Sequence, residues 1–201
     1  MSSHLRLSVT IEDQKQKSGG SFSVIPDAEC LPYFTEAFRS VVSGVEAGDS
    51  MLEQLFPEMF SLFVKGESAR KFIPVILCRL PPGTWRWPAF ENFISDKRGG
   101  IEEPDFKAMA EMLASRVMKV AYSLHHKQQF LKTADHAPYM MFCSVDDDRT
   151  PDECKGLNGV ISHYTSSFWS EHPIPCRRLD CRCSFIAMSE RDLKKLSYKG
   201  I

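Results

Sequence analysis

The chain has 201 residues, 43% of them hydrophobic, with 25 Lys and Arg against 26 Asp and Glu for a formal net charge of −1. That is enough apolar material for one large or two small cored domains. So even a charge balance excludes a global electrostatic attraction to nucleic acid, an anionic membrane or a strongly acidic substrate.

The opening MSSHLRLSVTIEDQKQKSGG has no apolar core of signal-peptide length, and no later stretch approaches the ~20 uninterrupted apolar residues of a spanning helix. The expected compartment is therefore cytoplasmic. Without a secretion signal, an odd count of seven cysteines points to metal ligation and buried thiols before a disulfide framework.

Residues 5 to 11 (LRLSVTI) alternate as a short strand, and the polar DQKQKSGG after them reads as a loop. From Leu31 to about Val45, and from Ser50 to Val64, apolar residues recur at helical spacing. Asp49-Ser50 gives an N-cap signal, and Gly48 and Gly66 are stops. The run FIPVILCRL at 72–80 is short, apolar and rich in β-branched residues, and Pro81-Pro82-Gly83 closes it, which predicts a buried strand. Trp85, Trp87, Phe90 and Phe93 then form an aromatic cluster suited to core packing.

SDKRGGIEEP at 95–104 predicts a surface loop and the boundary between two halves, 1–100 and 101–201. Beyond it Pro104 suits the first position of a long helix. Phe106, Met109, Met112, Leu113, Val117, Val120 and Leu124 fall on one stripe that carries this helix to about Phe130. His125 and His126, near its end, read as surface residues where cations suit the macrodipole. Cys30, Cys78 and Cys143 sit among apolar neighbours and read as core residues.

The chemistry concentrates between Cys154 and Cys183, where four of the seven cysteines and two of the six histidines lie within thirty residues. YMMFCSV at 139–145 predicts a buried strand that delivers the acidic DDDRT to a turn. Leu157-Asn158-Gly159-Val160 carries the Asn-Gly signal of a tight type I′ hairpin, which would fold Cys154 back toward the downstream residues. Pro173, Pro175, Cys176, Cys181 and Cys183 make a turn-rich loop, and Cys183-Ser-Phe-Ile-Ala resumes a short strand. Thiolate and imidazole ligands at short spacings around turns are what a tetrahedral Zn²⁺ site requires.

In this order and spacing, residues from about Ala137 to Leu193 resemble the C-terminal domain of the phage Mu protein F family, the minor head or head-morphogenesis proteins of tailed phages. An aromatic-rich strand from Tyr139 enters Asp148-Arg149-Thr150. Cys154 stands at the ligand position four residues after the Thr. Leu157-Asn158-Gly159 matches the family's Leu-x-Gly, and Phe168-Trp169 its aromatic pair. Pro173, Pro175 and Cys181-Arg182-Cys183 match its proline-rich loop closing on Cys-Arg-Cys. The loop itself reads PIPCRRLD where the family usually has Pro-Pro-x-Gly or Pro-Pro-x-His, and the first hundred residues offer no resemblance.

The ligand set that suits a closed zinc site is Cys154, Cys176, Cys181 and Cys183, with His172 in place of Cys176 as the second choice. The competing reading is reduced cysteines in a small core, or a redox pair. Arg182, with Arg177 and Arg178 nearby, would lower thiolate pKa values in either case. Asp148 and Arg149 are expected to brace the turn through an ion pair or backbone hydrogen bonds, alongside Thr150, Gly159, Trp169 and Arg182 of the same motif.

The expected fold is α+β: a mostly helical N-terminal region and a long helix leading into a small β-hairpin lobe that is turn-rich and metal-stapled. The resemblance implies a non-catalytic structural or assembly role in a phage head, with portal or capsid proteins as partners, virion association, and packaged DNA in reach of the basic residues from Arg177 to Lys199. The alternative is an enzyme, a toxin or effector domain in residues 1–136. That stretch contains no His-Glu-x-x-His and no glycine-rich phosphate loop.

Overall fold

The computed structural model describes residues 5–6, 27–98, 105–145, 147–176 and 178–198. The fold is α+β, and the chain divides into two compact units. Phe22–His125 forms one, and Met1–Ser21 together with His126–Ile201 forms the other. The division thus falls at His125 and His126 inside the long helix, where the sequence suggested a boundary near residue 100.

The first unit is helical: α1 Asp27–Val42, α2 Asp49–Val64, α3 Ala69–Arg79, α4 Pro88–Arg98 and most of α5 Phe106–Leu131. Phe34, Ala37, Phe38 and Val41 of α1 are buried at the spacing of one helical face, and Leu55, Met59 and Phe63 of α2 repeat it at every fourth residue. The ring of Phe34 lies 5.5, 5.5 and 5.1 Å from those of Phe56, Phe60 and Phe63. α2 ends as its sequence suggests. Gly66 takes φ +69° and donates its N–H to Phe63, while Glu67 donates to Leu62, so two terminal carbonyls are satisfied by a left-handed glycine just past the helix.

Residues 72–79 lie in α3 and Leu80 caps its end, contrary to the predicted strand. Phe72, Ile76 and Leu80 are fully buried, while Pro74 and Cys78, which a strand would place on the same face, are exposed. β-branched content misled because burial, not propensity, decides such short runs. Cys78 consequently lies on the opposite face and is exposed, whereas Cys30 and Cys143 are buried as expected. Arg79 donates to the Glu58 carboxylate, joining α3 to α2.

A two-residue antiparallel bridge comes next, in which Glu46 and Arg86 exchange backbone hydrogen bonds of 2.8 and 2.9 Å. Its alternation turns Trp85 and Trp87 inward, each 2% exposed, and Arg86 outward to pair with Glu91. Residues 95–98, expected in a loop, form the last turn of α4. The rest of that segment and Pro104 lie outside the described residues. Asp105 caps α5 instead, accepting from Ala108 N at 2.9 Å. Of the predicted stripe on α5, Met109, Leu113 and Val117 are fully buried.

The second unit holds a four-stranded antiparallel sheet in the order β1-β3-β2-β4. Its strands are β1 Leu5–Arg6, β2 Tyr139–Cys143, β3 Val160–His163 and β4 Ser184–Met188, with short helices α6 Asp152–Leu157, α7 Phe168–Glu171 and α8 Glu190–Tyr198 between and after them. Residues 7–11 of the expected first strand lie outside the described residues. β2 is central, with Met141 opposite Ile161 of β3 and Ile186 of β4.

The pleat of β2 divides its side chains between two cores. Met141 and Cys143 join Ile161 and Met188 beneath Leu193 and Leu196 of α8. Phe142 joins Cys154, Val160, Phe168 and Cys183 on the other side. Asn158-Gly159 is no two-residue hairpin. It terminates α6, with Gly159 at φ +77°, and docks on the end of β2: Gly159 N donates to Phe142 O at 2.9 Å, and Ser144 N donates to the Asn158 side chain at 3.0 Å.

A four-cysteine cluster as candidate metal centre

β2 hands the chain to the turn at 147–150, which enters α6 at Asp152 and sets Cys154 in that helix's first turn. The loop after α7, with a cis Ile174–Pro175 peptide, returns through Cys176, Cys181 and Cys183 into β4. These two segments meet. Cys154, Cys176, Cys181 and Cys183 line one small cavity together with Val145, Arg149, Thr150, Pro151, Arg178, Asp180 and Arg182.

Cys154 and Cys183 are buried, while Cys176 and Cys181 are partly buried, and none of the four forms a disulfide. Cys181 is held far below the ordinary thiol range because the Cys176 and Cys183 thiols both hydrogen-bond to it, and the same bonds raise those two partners. Cys183 is also in hydrogen-bond contact with Cys154. The Cys176 amide donates to the Cys181 sulfur at 3.2 Å, an N–H···S bond that favours the thiolate form.

The donor set therefore fits a tetrahedral thiophilic ion in kind and number. The thiols hydrogen-bond to one another, and among the described residues no three His, Cys, Asp or Glu side chains already stand around a common metal position. His172, the second choice for the fourth ligand, stands away from the cavity lining. It caps the end of α7, and its ring packs 4.7 Å from that of Phe168.

The brace expected of Asp148 and Arg149 centres on their neighbour Asp147, with Arg149 contributing to it. Asp148 and Arg149 are exposed, and Asp147 instead receives both Arg182 nitrogens, Nη1 to Oδ2 at 2.6 Å and Nη2 to Oδ1 at 2.5 Å. Thr150 Oγ1 donates to Asp147 Oδ1 at 3.0 Å and accepts from Arg182 Nη2 at 3.1 Å. The Arg149 amide donates to the same carboxylate at 3.1 Å, while its guanidinium reaches Asp147 only at 3.5 Å. With three donors and a facing guanidinium, Asp147 is held well below the usual carboxylate range, the Arg182 hydrogen bonds contributing most. Nothing in the run Asp146-Asp147-Asp148 itself tells which carboxylate meets an arginine 35 residues away. Trp169 performs a simpler task, donating Nε1 to His163 O at 3.1 Å and fastening α7 to β3.

Over 134 residues, 66% of this chain and 30% of the other, the sequence is 33% identical to a protein of Escherichia phage Mu named "Putative capsid assembly protein F". The chain carries a Mu F-like region. It spans 30% of that protein's length. The match is longer than residues 101–201, so it reaches back into the first hundred residues, where the sequence alone offered no resemblance. No family model and no solved structure matches the chain. Among the described residues no helix is long and apolar enough to cross a membrane.

Proposed function

We propose that the chain is a non-catalytic structural component or assembly factor of a tailed-phage head, stapled in its second unit by one Zn²⁺ on Cys154, Cys176, Cys181 and Cys183. The similarity to a protein named for capsid assembly carries the head role. The meeting of four thiols at one cavity supports the zinc. Bound there, the ion would join α6 to the loop before β4 by bonds that hydrophobic contacts in so small a lobe cannot replace, and its binding energy would be folding energy. Portal or capsid proteins are the partners this reading implies, with the chain virion-associated. Contact with packaged DNA would fall to Arg191, Lys194 and Lys195, exposed on α8.

Elemental analysis of the purified chain, read beside its thermal melt with and without chelator, tests the staple. About one zinc per chain is expected, with chelation lowering the melting temperature. Cys181→Ser should lose the metal and Cys30→Ser should keep it. Equal loss in both, or no metal in the unaltered chain, rejects the staple. Mass spectrometry of purified heads tests the role, and heads that form normally without the chain reject it.

A further inference from the structure

The four thiols arrive on two segments that are distant in sequence. Cys154 comes from the turn at 147–150 through α6, and Cys181 and Cys183 flank Arg182 on the loop into β4. Between the two carriers lies one bidentate ion pair, Asp147 with Arg182, closed into a triangle by Thr150. Thr150 is 8% exposed, and the Asp147 and Arg182 side chains are each about one-third exposed, so the pair is partly shielded from solvent while its fork geometry fixes direction.

Among the described residues, every other donor to the Asp147 carboxylate comes from its own turn: the Arg149 amide, the Thr150 hydroxyl and the more distant Arg149 guanidinium. Arg182 alone of these partners crosses to the other carrier. Its neighbours in sequence on both sides are the sulfur-bearing residues, so a shift of its backbone by one residue's rise would carry both sulfurs away from Cys154.

We propose that Asp147, Arg182 and Thr150 form a clasp that positions Cys154 against Cys181 and Cys183. They are positioning residues, none of them lending an atom to the cluster. What the thiols then hold rests on the zinc reading above, but the clasp acts on the thiols whether or not metal is bound. Outer groups that orient ligands in this way change metal affinity by about tenfold to a hundredfold.

The test uses the full chain, reduced and metal-free, with dibromobimane, which fluoresces when it bridges two neighbouring thiols, and peptide mass spectrometry to locate each bridge. Asp147→Asn is expected to slow the Cys154–Cys183 bridge about tenfold or more and to leave the Cys176–Cys181 bridge, whose sulfurs share one loop, at its original rate. Arg182→Lys, which keeps the charge and loses the fork, should behave like Asp147→Asn. The exchanged pair Asp147→Arg with Arg182→Asp should recover part of the loss.

In zinc-loaded protein the same variants should release metal to a chelator faster by a similar factor. Bridging and release at unaltered rates in Asp147→Asn and Arg182→Lys overturn the clasp, and so does equal slowing of both bridges, which would report general unfolding. If the unaltered chain takes up no zinc while the bridging rates still separate, the zinc reading falls and the clasp stands.

Discussion

Asp147 shows how a single side chain is set by its surroundings. The groups facing it are the Arg182 guanidinium, the Thr150 hydroxyl and the Arg149 amide and guanidinium, all of which favour its charged form. A carboxylate whose folded pKa is depressed contributes stability that is complete above its unfolded value, about 3.9, and is lost as pH falls through the folded value. The clasp should therefore be insensitive to pH between about 7 and 4. Thiolate ligands must compete with protons well before that, so on acidification zinc should leave while the pair persists. Carbon NMR of the Asp147 carboxyl checks this: the resonance should still be that of the ionised form at about pH 4, and a midpoint near that value would contradict it. The cysteine cluster was legible because Cys at those spacings has few alternatives. Asp147 was not, because its role depends on a contact that local sequence does not encode.

At the scale of elements, the aromatic centre of α1 and α2 was readable from spacing alone, since Phe34, Phe38, Phe56, Phe60 and Phe63 all sit on faces that a period of about 3.6 defines. Phe34 is fully buried and meets the other four rings. Phe34→Ala should cost about 3–5 kcal/mol, read as a lower urea midpoint by tryptophan fluorescence, and a loss under about 1 kcal/mol would show that the neighbouring rings close the space. Two elements were misread for reasons of the same kind. The 72–80 run satisfies a strand by composition and a helix by its period. Asn-Gly serves a type I′ turn or a left-handed residue after a helix equally well. The choice was made by what Phe72, Ile76 and Leu80 bury, and by Gly159 bonding to Phe142.

For the whole molecule, the α+β class and the strand–turn–Cys–loop–strand order came from pattern, while the place where the chain divides did not. Periodicity runs unbroken through α5, so nothing in it marks His125–His126. If the staple belongs to the second unit, chelation should speed amide hydrogen exchange across β2, β3 and β4 and leave Phe34, Leu55 and Leu113 protected. Uniform acceleration through both sets would refute that localisation.

β1 pairs with β3, Leu5 opposite Ile161 and Arg6 opposite Val160, although the whole helical unit separates them in sequence. On the ribosome the helical unit is therefore complete before the strand made first has a partner to meet. Domains fold as units during synthesis, so this edge of the sheet is joined only late in translation, by a segment that has waited through the making of six helices, α1 to α6.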